Sequence, residues 1–194
     1  MTLKDVNKMN YYINQILINN LSKRELQEKI KSHEYERLPN KAKEKLKNQE
    51  QLELEDWVKN PILIKNNLNI EKISEKVLQK LVIEDIENVM KQLGEGFSYI
   101  SKEYKIKLGN TYNYIDLLLY NVLYHSYAVV ELKVTSLKKE HIGQIQVYMN
   151  YIDENVKSIN DNKTIGIIIV KENNEYIVKY SSDKRIKVTN YFLI

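Results

Sequence analysis

The chain has 194 residues, of which 43% are hydrophobic and 29% charged, with a formal net charge of +4. That balance fits a soluble globular protein and excludes a disordered one, while mild basicity permits a nucleic-acid partner without requiring it. No stretch approaches eighteen consecutive apolar residues and the opening MTLKDVNKMN carries charges, so neither a membrane partner nor a secretory leader is expected. The absence of cysteine excludes disulfides, thiolate zinc sites and cysteine nucleophiles, and fits a cytoplasmic protein. Lys, Asn, Ile and Tyr are abundant together, so the 15 tyrosines are in part a matter of composition.

In chain order, residues 1–60 read as helical. Val6, Met9, Ile13, Ile16 and Leu17 recur at helical spacing and predict one apolar face. Ser22 followed by Glu25 has capping-box spacing and starts a second helix, which ends before Pro39. Between 21 and 60 there are ten Lys or Arg and nine Asp or Glu, which describes solvated helix faces rather than a basic arm. The NPIL stretch at 60–63 reads as a packed, non-helical connection. Residues 71–93 predict one long helix with Gly94 as its cap. Strands follow at 97–108, 112–120 and 127–134, then a helix at 138–153. Further strands are predicted at 164–170, 175–181 and 188–194, the first buried on both faces and the last at an edge. The domain expectation is a helical region, 1–69, for partner or DNA contact, and an α/β domain, 70–194, with a mixed sheet and flanking helices.

The second and third of these strands carry charge where a packed strand should not. Asp116 sits in IDLLLY, and Glu131 and Lys133 lie two apart on one face of AVVELKV. If 112–120 and 127–134 pair as a hairpin, the acids converge. Unpaired buried charge is costly, and a divalent cation offsets two carboxylates well. Oxygen donors suit Mg²⁺ or Mn²⁺, which share their coordination with water and phosphate, and a neighbouring ammonium suits phosphodiester hydrolysis. The plainer reading is a solvated ion pair between Glu131 and Lys133, the usual fate of such pairs.

The spacing D-x14-E-x-K, then HIGQIQVYMNYID, then NKTIGIIIV, resembles the nuclease domain of the YhcG-like family within the PD-(D/E)XK (restriction-endonuclease-like) superfamily, over about residues 85–194. NNLSKRELQEKIKSHEYERLP resembles the helical N-terminal region of the same family. The resemblance implies Asp116 and Glu131 as metal ligands and Lys133 as the catalytic lysine. Gln144 and Tyr148, four apart on one helix face, would then face the site or the nucleic-acid backbone. It implies a Mg²⁺-dependent endonuclease, with Mn²⁺ as substitute, acting on DNA in defence or genome processing. Lys138 and Lys139 are candidate phosphate contacts, against the plainer reading of a solvated helix start.

Two departures from the family pattern stand out. Ile115 precedes Asp116 where the superfamily motif has proline. Gln92 stands in QLG where relatives carry a glutamate that often joins the metal site, so either the site is weaker or Glu87 or Glu95 substitutes. The alternative reading is therefore a weak or inactive nuclease fold that binds nucleic acid or protein, and RNA is a further substrate to separate from DNA. His33, His125 and His141 have no ligand-like spacing and read as surface or structural. The charge-balanced N-terminal helices suggest a homodimer or partner surface rather than a DNA clamp.

Overall fold

A computed structural model describes residues 5–67 and 73–194. The chain divides into two compact units, Met1–Lys59 and Asn60–Ile194. The boundary expected between 69 and 70 lies outside the described residues. No helix among the described residues is long and apolar enough to cross a membrane.

The first unit contains α1 (Val6–Asn19), α2 (Lys23–Lys31), α3 (Asn40–Lys47) and a 3₁₀ turn at Leu54–Trp57. Ser22 and Glu25 form the expected capping box that starts α2. The apolar face of α1 is not the expected one. Tyr11, Tyr12 and Gln15 are buried, and Val6, Met9, Ile13 and Leu17 face solvent. The tyrosines win because the core beneath them is aromatic and polar-tipped: Tyr11 and Tyr12 pack with Leu38, Ala42 and Leu52, and the Tyr11 hydroxyl donates to buried Glu34 at 2.8 Å. Burial alone would push the Glu34 carboxyl up. Lys59, Lys29 and the Tyr11 hydroxyl outweigh that and hold it below its ordinary range.

The second unit is a six-stranded mixed sheet, ordered β1-β6-β5-β4-β3-β2. Its strands are β1 (Ile62–Ile64), β2 (Phe97–Leu108), β3 (Thr111–Asn121), β4 (Ser126–Ser136), β5 (Ile165–Glu172) and β6 (Ile186–Leu193). The β2-β3 and β3-β4 pairs are antiparallel hairpins, and the remaining pairs are parallel. The helices are α4 (Glu75–Glu84), α5 (Ile86–Leu93), α6 (Lys139–Asn155) and α7 (Glu175–Lys179). Helix α6 connects β4 to its parallel neighbour β5, the connection a parallel pair requires. Its residues Ile145, Tyr148, Met149 and Ile152 pack with Val129, Ile168 and Val170 in one cluster. A Cβ on Gly166 would come within 2.6 Å of Met149 Sδ, so a side chain there would require Met149 and Ile145 to repack.

Three expectations change. The helix expected over 71–93 is two helices, because Asp85 leaves helical geometry (φ −124°, ψ 34°); residues 71 and 72 lie outside the described residues. EYIVKYS is not a strand: Asn174 accepts a hydrogen bond from the Ile177 N–H and opens the short helix α7, a local cap that overrides its β-branched content. The last strand, β6, is not at an edge, since the NPIL segment supplies β1 and pairs with it in parallel.

That short edge strand explains Gln92. The Leu63 N–H donates to Gln92 Oε1 at 2.8 Å, and Gln92 Nε2 donates to the Leu63 carbonyl at 2.8 Å. The amide therefore serves the open side of β1 as a further strand would, satisfying one backbone donor and one acceptor. Replacing it with glutamate keeps an acceptor and loses the donor, which leaves the Leu63 carbonyl facing negative charge. Gln92→Glu is expected to cost about 1–3 kcal/mol, read as a lowered melting temperature, with no gain in metal affinity by calorimetry. A gain in affinity would contradict this account.

Candidate active site

The pairing of β3 with β4 runs from Asn121↔Ser126 to Leu117↔Val130 and stops there. The next opposed residues are Asp116 and Glu131. Their backbones no longer bond each other directly, and their carboxylates take over: the Leu132 N–H donates to Asp116 Oδ2 at 2.8 Å, and the Asp116 N–H donates to Glu131 Oε1 at 3.4 Å. Beyond this point β3 stays with β2 to Leu108↔Thr111, and β4 stays with β5. The sheet thus opens at the two acids. On the other side of β3, no β2 partner is assigned to Asp116, and Glu103 adopts a left-handed backbone (φ 48°). Ile115 and Leu118, three apart, join the same core cluster, so β3 is twisted between them. Such irregularity re-aims a side chain that strict alternation would place elsewhere.

Lys133 completes the group. Its Nζ lies 3.1 Å from Glu131 Oε2. Glu131 is only 2% exposed, which rules out the solvated ion pair that periodicity alone permits. Burial, and then the Asp116 charge, push the Glu131 carboxyl up to about 7. Asp116 is also raised, chiefly by burial, with Glu75 and Glu103 adding to it against the Leu132 N–H and Lys133. Burial pulls the Lys133 ammonium down, but Glu131 and Asp116 prevail and keep it above its ordinary value, so it is a fixed cation.

Helix α6 supplies the flank. Gln144 Nε2 donates to the Tyr148 hydroxyl at 2.9 Å, as their four-residue spacing allows, and Tyr148 is buried in the core cluster. His141 Nδ1 accepts from the Lys138 N–H at 3.2 Å. Its imidazole is held below its ordinary value by burial, then by Lys133 and Lys138, which favours the neutral form. Lys138 and Lys139 are exposed at the start of α6. Lys139 also borders a separate cleft of about 590 Å³ with Ile142, Tyr176 and Tyr180, which contains neither acid nor Lys133.

Helix α4 brings residues that sequence reading missed. Gln79 Nε2 donates to the Asp116 carbonyl at 3.4 Å, and Glu75, one turn earlier, acts electrostatically on Asp116, Lys133 and His141. The available signal was an acid and an amide four apart behind the helix cap Ser74. The Glu95 carbonyl accepts from Asn121, five residues along β3 from Asp116. Gln92 itself is held at β1, three strand spacings (about 14 Å) from β4.

Among the described residues no group of three or more His, Asp or Glu side chains is assembled as a metal site. One buried and one half-buried carboxylate, both with raised proton affinity, fit a hard divalent ion that keeps several of its waters, rather than an all-protein cage.

YhcG of Escherichia coli (strain K12) is 24% identical over 99 residues, 51% of this chain and 26% of that protein, so the chain spans about a quarter of this curated relative. A repair endonuclease from Pyrococcus abyssi is similar in structure with a TM-score of 0.42, 16% identity, and coverage of 65% of this chain and 49% of that one. EndoMS in its dsDNA2 complex gives 0.43, 15%, 66% and 48% for the same measures. The family model of the YhcG PDDEXK nuclease domain matches residues 55–194, the whole sheet with the opened β3-β4 pair included, and the chain belongs to that family.

Proposed function

We propose that this chain is a divalent-metal-dependent endonuclease that hydrolyses phosphodiester bonds in DNA. The observation that carries the reading is the convergence of Asp116, Glu131 and Lys133 where β3 and β4 part. Asp116 and Glu131 would hold Mg²⁺ or Mn²⁺. Such an ion supplies Lewis-acid polarisation of the phosphate and a water of lowered pKa. The rest is the work of the chain itself. The Lys133 ammonium, already cationic, sets positive charge beside the phosphate as its negative charge grows. Gln144 offers an amide to the water or to a phosphate oxygen, and buried Tyr148 positions Gln144 rather than touching nucleic acid. Lys138 and Lys139 lie exposed for phosphate contact. In the net reaction a water oxygen bonds to phosphorus and the bond to one ester oxygen breaks.

The test is cleavage of supercoiled DNA, linear DNA and RNA with Mg²⁺, with Mn²⁺ and with chelator. Metal-dependent nicking of DNA is expected. Absence of cleavage on every substrate would favour a binding module, and cleavage of RNA alone would replace the substrate.

We further infer a homodimer through the first unit, because α1 leaves an apolar stripe in solvent, with Val6 63% and Leu17 72% exposed. Light scattering is expected to give twice the 23.1 kDa chain mass, and Ile13→Lys with Leu17→Lys to return it to one. A concentration-independent monomer would refute the dimer.

A further inference from the structure

Past the point where β3 leaves β4, the β2-β3 hairpin continues as a two-stranded ribbon to the turn at Gly109-Asn110. Its inner side is apolar: Tyr104, Ile106 and Leu108 pack on the core cluster that α6 shares. Its outer side is different. Lys105 opposes Tyr114 and Lys107 opposes Tyr112, so the four share one face. All four are exposed, with Tyr112 at 56% and Tyr114 at 53%. Lys105 Nζ sits 3.8 Å from the centroid of the Tyr112 ring, a cation–π contact that orders both side chains. Residues 104–115 contain two lysines and no acid. Tyr114 is two residues, about 7 Å along the strand, from Asp116.

We propose that the outer face of this ribbon is the surface on which a DNA duplex lies as it reaches the site, an inference that rests on the nuclease reading above. A two-stranded ribbon has the width of a major groove. Lys105 and Lys107 neutralise backbone phosphates, and the Tyr112 and Tyr114 hydroxyls donate to phosphate oxygens, which sets position without reading sequence. Charge complementarity selects this occupant: two lysines and two phenolic donors on one face suit a polyanion, and the face runs past Glu103 to the carboxylates that would face the scissile phosphate.

The experiment is fluorescence anisotropy of a labelled DNA duplex with the full chain in chelator, where nothing is cut, over a salt titration. Lys105→Ala with Lys107→Ala is expected to weaken binding about tenfold at moderate salt and to reduce the slope of log affinity against log salt by about 2. Lys105→Arg with Lys107→Arg keeps the charge and is expected to keep both. Tyr112→Phe with Tyr114→Phe is expected to weaken binding with an unchanged slope. Unchanged affinity and slope in the alanine pair, with wild type still cutting DNA at the same KM as that pair, would overturn the ribbon alone. A change of mass in light scattering with unchanged DNA affinity would assign the face to self-association instead and overturn it too. Wild type that neither cuts nor binds DNA would overturn the nuclease reading and the ribbon together.

Discussion

Lys133→Ala is expected to reduce metal-dependent DNA cleavage at least about 100-fold, the scale on which removing one preorganised electrostatic group acts. Two effects combine. The variant loses the cation beside the phosphate, and it leaves Asp116 and Glu131 without the ammonium that lies 3.1 Å from Glu131. The loss is expected in kcat and not in metal affinity, because an ammonium beside the two carboxylates repels a divalent cation and its removal leaves them free to bind one. Lys133→Arg separates charge from geometry: it restores the charge, but a planar guanidinium replaces a point donor, so turnover should return only in part. Asp116→Ala is expected to abolish cleavage, and the Leu132 N–H loses its acceptor with it. Cleavage of supercoiled DNA at fixed Mg²⁺, with Mn²⁺ binding by calorimetry, checks both variants. Cleavage untouched by either substitution would remove this group from the chemistry.

Glu131→Gln is expected to stabilise the metal-free protein at alkaline pH and to abolish the metal binding proposed above. The folded-state carboxyl titrates at about 7, against 4.5 for an unstructured one, because burial and the Asp116 charge oppose ionisation. Between those values the folded chain holds a proton that the unfolded chain has released. The stability tied to this proton is present in full below about 4.5 and is lost as pH rises through about 7. Above that, ionised Glu131 costs up to about 3 kcal/mol, partly offset in the variant by weaker bonds to Lys133 and the Asp116 N–H. In chelator at pH 8, Glu131→Gln should melt several degrees above wild type, and near pH 4 the two should coincide. Mn²⁺ should raise the wild-type melting temperature and leave the variant unmoved. A variant less stable than wild type in chelator at pH 8 would show that Glu131 is a structural ion-pair partner, without the cost expected of a functional carboxylate.

Much of this site was legible in the sequence because its determinants are local. Alternation puts Glu131 and Lys133 on one face. The 14-residue interval from Asp116 to Glu131 matches a hairpin that sets the two acids opposite each other, and the structure has that register. Gln144 and Tyr148 meet because a helix turns every 3.6 residues. Buried runs such as IGIII read as central strand for the same reason. Period and chain spacing suffice for all of these, and they do not depend on what lies across the core.

The tertiary structure decided the rest. The role of Gln92 depends on Leu63, 29 residues earlier, whose open backbone groups exist only because β1 is the last strand of the sheet. The place of β6 depends on the same β1, more than a hundred residues away in the chain. Glu75 and Gln79 matter only because α4 lies against the end of β3. On α1, packing chose Tyr11 and Tyr12 over the aliphatic stripe, since a buried carboxylate offered the Tyr11 hydroxyl a partner. Periodicity reports which residues share a face. Which face is buried, and which polar group meets which, is settled by whatever packs against it and by the rule that buried donors and acceptors find partners.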